Sequence, residues 1–139
     1  VKEYVLDANA VIRYLQVGNA SGGEKVRHLF EQAERGQASL LMSVVNMGEV
    51  LYILMKFVGE QTAVRHIKTL QHAIAMVQVD TAQGIQAATL KFQYKLGYAD
   101  SYAAALALQR KATLVSADGS FQKLGKLIRW LKLPPFHGS

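Results

Sequence analysis

Residues 3–12, EYVLDANAVI, pass from strand-like to helical patterning within ten positions, which points to an α/β chain. Residues 3–6 form a short, largely apolar run of strand character that delivers Asp7 at its C-terminal end. Val11, Ile12 and Leu15 then recur at helical spacing up to Gly18, so a strand passes almost directly into a helix. Farther along, NASGGE (19–24) is a loop in which Ser21 is placed to open a second helix through Val26, Leu29, Phe30 and Ala33, closed by Gly36. ASLLM (38–42) is a second strand, and Ser43 resembles a cap for the long helix VVNMGEVLYILMKFV, which ends at Gly59. A helix from about Gln61 to His72 carries Val64, Ile67 and Leu70. AMVQV (75–79) is a third strand. Asp80 and Gln83 have the D-x-x-Q form of a capping box and open a helix through Ile85, Ala88 and Phe92. SYAAALALQRK (101–111) is apolar almost all round and reads as a buried helix. TLVS (113–116) is a fourth strand, a helical turn through Phe121 and Leu124 follows, and IRWL (128–131) is a last strand.

Short strands alternating with helices imply βαβ crossovers. The expected fold is therefore α/β, a mostly parallel sheet of four or five short strands with helices on both faces. One domain is expected over residues 1–132, with LPPFHGS (133–139) as a flexible C-terminal tail. Composition agrees: half of the 139 residues are apolar, enough for a packed core and too many for a disordered chain. The absence of cysteine excludes disulfides, zinc knuckles, iron–sulfur clusters and thiol nucleophiles, and fits a reducing, cytoplasmic setting. Sixteen Lys and Arg against ten Asp and Glu leave a net charge of +6, which favours polyanionic partners such as nucleic acid. The N-terminal stretch, with an acidic residue on each side of a short apolar run, does not read as a secretory signal. Residues 36–55 carry Glu49 as their only charge, but Ser39, Ser43, Asn46 and Gly48 interrupt them. A carboxylate at the middle would be costly in lipid, so no membrane association is expected.

In parallel sheets ligands bind beyond the carboxyl ends of the strands. Asp7 ends the first strand, Asp118 follows the fourth, Asp100 opens the most apolar helix, and Glu49 lies about 9 Å into its helix from Ser43. Each Asp has a local alternative: helix capping for Asp7 and Asp100, a turn for Asp118 before Gly119. Glu49 lacks one, because a carboxylate among Val, Leu, Tyr, Ile and Met needs a partner or a metal. Asp80 is equally isolated and is explained by its capping context, so isolation alone does not mark a site. Four converging carboxylates would repel one another, and a hard divalent cation relieves that repulsion. Oxygen donors without His or Cys suit Mg²⁺ or Mn²⁺, which activate water and stabilise charge on a phosphoryl group. The implied chemistry is metal-assisted phosphodiester hydrolysis.

In this order, VLDANAVI (5–12), SVVNMGEVLY (43–52), YADSYAAALA (98–107) and LVSADGSF (114–121) resemble the PIN-domain nucleases, most closely the single-domain VapC-type toxins, over about residues 3–131. The resemblance implies a PIN-like fold, a Mg²⁺- or Mn²⁺-dependent endoribonuclease acting on RNA, and a homodimer. It also implies the toxin role in a type II toxin–antitoxin pair, whose cognate antitoxin blocks the acidic pocket. Carried onto this sequence, Asp7, Glu49, Asp100 and Asp118 are the catalytic quartet. Asp7 and Asp100 are the first choice as direct metal ligands, with Asp118 and Glu49 binding a second ion or holding metal-bound water. Asn9, Ser43 and Ser116 match polar positions near the cofactor and are expected to orient carboxylates or water, Ser43 equally as a helix cap. Three departures from the family pattern bear on the second ion: Ala8 where many relatives have Thr or Ser, Ser116 where Thr is common, and Gly119–Ser120 where a further Asp often stands. The alternative is a non-catalytic PIN-like module that binds RNA or a protein.

Other signals are weaker. GNASGGEK (18–25) misses a phosphate loop because Glu24 stands where Lys is required. His28, His66, His72 and His137 lack metal-ligand spacing, and Asn9 stands where a haloacid-dehalogenase-like phosphatase needs a second Asp. Val11, Tyr14 and Phe30 are expected to be exposed as a dimer or antitoxin surface. Tyr52, Tyr94, Tyr98 and Trp130 are available for packing or for stacking on bases.

Overall fold

A computed structural model describes residues 1–16 and 22–134. The chain runs β1 (Lys2–Leu6), α1 (Ala8–Leu15), α2 (Gly23–Glu34), β2 (Ala38–Ser43), α3 (Val44–Val58), α4 (Glu60–Leu70), β3 (Ile74–Val77), α5 (Thr81–Tyr94), α6 (Tyr98–Arg110), β4 (Thr113–Ser116), a 3-10 segment (Gly119–Leu127) and β5 (Arg129–Lys132). The five strands form one sheet in the order β3-β2-β1-β4-β5, and every pairing is parallel. The chain builds outward from β1 to β3, then returns to the other side of β1 for β4 and β5. The switch point therefore lies between β1 and β4, where the helices leave the strand ends in opposite directions and open a crevice.

Alternation along the strands feeds two cores. Val5, Leu41 and Leu114 pack with α5, α6 and the 3-10 segment, while Leu6, Leu40, Met42 and Val115 pack with α1 to α4. The Ala-rich middle of α6, Ala103 to Ala107, is buried throughout, because small side chains let this helix lie close against the strands. Ser43 caps α3 by accepting a hydrogen bond from the Val45 N–H at 3.2 Å. Asp80 caps α5 by accepting from the Gln83 N–H at 2.8 Å. The reciprocal half of that capping box is missing: Gln83 Oε1 is buried and accepts no hydrogen bond among the described residues.

Three expectations are corrected. Val11 and Phe30 are not exposed: both lie in the core, and Tyr14 stacks on Phe30 with ring centroids 4.0 Å apart. They pack between α1 and α2, so the exposed apolar surface is elsewhere, at Tyr52, Phe57 and Val58 on α3 and at Ile85 and Phe92 on α5. The expected tail also begins too early. Leu133 is fully buried, and its N–H donates to the Ser116 carbonyl at 2.9 Å, so the packed chain continues through Pro134. Ser21 lies outside the described residues, and the N-cap position of α2 belongs to Gly22. There a left-handed backbone (φ 86°) and close approach both demand glycine, since a Cβ would come within 3.1 Å of Arg13 Nη1 and Pro134 Cδ. Among the described residues no helix is long and apolar enough to cross a membrane.

The Leu133 contact is testable. Leu133→Ala leaves a hole in the core on the α1 to α4 side of the sheet and is expected to lose about 2–4 kcal/mol in urea unfolding. A loss below about 0.5 kcal/mol, the range of ordinary surface substitutions, would show that this segment does not pack.

Candidate active site

Asp7 lies where β1 meets α1 and is only 3% exposed. One carboxylate oxygen caps α1, accepting from the Ala10 N–H at 2.9 Å, and the other accepts a short hydrogen bond from the Ser116 hydroxyl. The local and the functional readings of Asp7 are thus compatible, because capping uses one oxygen and leaves the other turned to the neighbouring strand. Ser116, the last residue of β4, also accepts from the Asp118 N–H at 3.0 Å. Asp118 in turn caps the 3-10 segment through the Ser120 N–H at 2.9 Å. Asp7, Ser116 and Asp118 therefore form one hydrogen-bonded line across the switch point.

Asp100 comes from the other side, in the first turn of α6. Its Oδ2 curls back over Gly97, where a Cβ would meet it at 2.9 Å, so any larger residue there would displace the carboxylate. Asn46 of α3, fully buried, donates to the Ala99 carbonyl at 3.1 Å and ties this turn to α3. Glu49 follows one turn later on α3 and faces solvent. Asp7, Glu49, Asp100 and Asp118 line one hollow of about 570 Å³, together with Asn9 and Arg13. Glu49 is therefore not the buried carboxylate that its apolar neighbours in sequence suggest: it stands on an open wall, and its isolation reflects the apolar helix around it.

The electrostatics record the convergence. Burial raises the Asp7 pKa to about 6, against the lowering effect of its bonds to Ser116 and Ala10, with the charges of Asp118 and Glu49 adding to the rise. Asp100 is raised to about 7, first by burial, then by a hydrogen bond to Asp118 and that residue's charge, then by Asp7 and Glu49. Asp118 is burdened by burial but held low by the bonds from the Ser120 backbone and Asp100. Glu49 is raised by partial burial.

Two of the expected residues sit differently from the quartet. Asn9 lines the hollow, and its Oδ1 is buried without a hydrogen-bond partner among the described residues. Ser43 is fully buried, engaged in capping, and does not line the hollow. Sequence reasoning missed Arg13, which is 1% exposed, lines the hollow and donates to the Pro134 carbonyl. Burial lowers its pKa, and Asp7 opposes that. The test of an isolated charge in an apolar run, applied to cations as well as carboxylates, would have found it within VIRYL.

Whether these residues suit a divalent ion depends on donor chemistry and spacing. The donors are oxygens, and the neighbouring like charges that add to the raised pKa values of Asp7 and Asp100 would be relieved by a cation. Among the described residues no group of three or more His, Cys, Asp or Glu side chains forms a ready-made cage.

A model of the PIN domain family matches residues 4–127. The chain belongs to the PIN domain family. Solved structures with the same fold include VapBC2 from Rickettsia felis bound to a promoter DNA fragment (TM-score 0.76, 14% identity, covering 94% of this chain and 98% of that one). DNA-bound VapBC from Salmonella typhimurium is similar too (TM-score 0.72, 16% identity, 95% and 98% covered). So is VapC20 from Mycobacterium tuberculosis, a toxin that cleaves the sarcin–ricin loop (TM-score 0.70, 14% identity, 88% and 95% covered). At such identities the likeness concerns the fold. No curated protein matches this PIN domain by sequence.

The raised pKa of Asp7 sets a pH signature. A carboxyl whose folded pKa lies above its unfolded value destabilises the fold once it ionises, and here the penalty grows from about pH 4 to about pH 6 and is then constant. Asp7→Asn retains a capping oxygen without the charge. In EDTA it should melt higher than the unsubstituted protein above pH 6, by up to about 3 kcal/mol, and the gap should close near pH 4. A gap independent of pH would show that Asp7 carries no buried charge.

Proposed function

We propose that this PIN domain is a divalent-metal-dependent endoribonuclease that hydrolyses RNA phosphodiesters, the toxin component of a type II toxin–antitoxin pair. The observation that supports this reading is the convergence of Asp7, Glu49, Asp100 and Asp118, from four segments of the chain, on one hollow at the switch point. Asp7, Asp100 and Asp118 are assigned as the residues that hold Mg²⁺ or Mn²⁺, and Glu49 as a holder of metal-bound water. Ser116 keeps the Asp7 carboxylate in place through its hydroxyl, and Asn9 offers an unused acceptor at the wall. Such an ion would activate water and neutralise charge on the phosphoryl group. Ser43 retains only its capping role. The proposed partners are an RNA substrate, an antitoxin that covers the acidic hollow and a second copy of the chain, in a cytoplasmic setting. The exposed apolar residues of α3 and α5 offer surface for protein contacts.

Two observations favour a second reading, a PIN module that binds without cutting: the quartet is no ready-made cage, and Ala8 lines the hollow without the hydroxyl common at that position. Isothermal titration with Mn²⁺ separates the two readings, since absence of binding at millimolar metal supports the non-catalytic module.

Under the ribonuclease reading, cleavage of RNA requires Mg²⁺ or Mn²⁺ and stops in EDTA. Asp7→Asn and Asp100→Asn are each expected to lower the rate by at least about 10²-fold, the scale of removing one group that stabilises transition-state charge, with the fold intact by circular dichroism. Unchanged cleavage in both variants would refute the site assignment.

A further inference from the structure

Two neighbouring cavities lie away from the acidic hollow and have no part in its chemistry. The first, about 440 Å³, is formed by α5 and α6 and is walled by Gln83, Gln86, Gln93, Gln109 and Tyr94 beside Leu90. The second, about 340 Å³, lies where the end of α6 and the 3-10 segment meet the starts of β4 and β5, and it carries Lys111, Lys126 and Arg129. Leu108 and Leu127 line both, so the two are parts of one continuous surface. The basic part is at the edge of the sheet opposite the acidic hollow. Along α6, Lys111 follows Asp100 by about 16 Å.

The basic cavity asks for an anion. None of Lys111, Lys126 and Arg129 forms an ion pair among the described residues, whereas the adjacent Arg110 is bound to Glu3 at 3.2 Å. Among the described residues no carboxylate lines either cavity, so the three like charges there have no counter-ion from them. The amide cavity asks for something planar and neutral. Glutamine side chains present a donor and an acceptor together, the combination that reads the edge of a nucleobase, and Tyr94 supplies a ring for stacking. Gln83 is 5% exposed, and its Oε1 accepts no hydrogen bond among the described residues. A buried acceptor without a partner is costly, and it stands in the wall of this cavity rather than in the capping box that its sequence suggests.

We infer that this surface is an RNA-binding exosite, in which one unpaired base of a single strand enters the amide cavity while the adjoining phosphates lie among Lys111, Lys126 and Arg129. An acidic protein segment would satisfy the cations and its peptide groups could bond the amides, but it would offer no aromatic face to Tyr94. The choice of RNA rests on the ribonuclease reading, and the surface would hold a part of the strand distant from the bond being cut.

Fluorescence anisotropy with labelled oligoadenylate in EDTA tests the exosite without cleavage. The triple variant Lys111→Asn, Lys126→Ser, Arg129→Ser changes exposed positions only, with Asn chosen because Lys111 has a left-handed backbone (φ 53°). Its affinity should fall at least tenfold at low salt, and the slope of log K against log salt should become shallower by about 2, the loss of three phosphate contacts on a single strand. Gln86→Ala with Gln109→Ala should weaken oligoadenylate binding without changing that slope. Unchanged affinity and slope in the triple variant would overturn the exosite, as would displacement of the RNA by polyglutamate as readily as by unlabelled RNA. The two proposals fail separately. Cleavage by the unsubstituted protein with cation-independent binding removes only the exosite. Cation-dependent binding without cleavage in Mg²⁺ removes only the ribonuclease.

Discussion

Like charges held close together are the constraint around which this molecule is built. Asp7, Glu49, Asp100 and Asp118 line one hollow, with Asp7 buried, although each would be better solvated apart. What holds them is backbone. Asp7 and Asp118 are fixed to the ends of two adjacent parallel strands, and Asp100 to the first turn of a helix sunk into the core. The repulsion cannot relax without disturbing the sheet, and this is how a folded chain keeps an arrangement that a flexible one would abandon. The raised pKa values of Asp7 and Asp100 are the visible cost.

The supporting contacts are few and shared. Ser116 serves four groups: its hydroxyl donates to Asp7 and accepts from the Asp118 N–H, while its carbonyl accepts from Trp130 Nε1 and the Leu133 N–H. One residue therefore couples the site to β5 and to the segment after it. Arg13 makes a parallel connection, from the wall of the hollow to the Pro134 carbonyl. Asn46 joins α3, which carries Glu49, to the turn that carries Asp100. The C-terminal segment through Pro134 belongs to the architecture of the site.

Much of this was legible in the residues. Each strand and helix follows from apolar spacing, and the capping roles of Ser43 and Asp80 follow from side chains that compete well for free helix N–H groups. The misreadings share one cause. Val11 and Phe30 were assigned to a surface because periodicity shows that a helix has an apolar face, and does not show how many neighbours will cover it. Leu133 follows the last strand and precedes a proline, so nothing local distinguishes it from a tail. Its burial depends on the core that α1 to α4 form on one face of the sheet, which exists only once the chain is folded. Asn46 and Arg13 were overlooked because their roles consist of bonds to Ala99 and Pro134, 53 and 121 positions away.

Residue order alone was enough for the alternation of strands and helices, the parallel sheet that follows from it, and three Asp residues at or near element ends where such sheets bind ligands, with Glu49 about two turns into α3. Those features are local: they depend on spacing, capping chemistry and the order of residues along a few turns. Folding was needed for Asp7 to meet Ser116, for Asp100 and Asp118 to line one hollow, for Glu49 to stand in the open, and for unpaired cations to gather beside the amide cavity. These depend on distances between segments remote in the chain, set by how the two cores pack against opposite faces of one sheet.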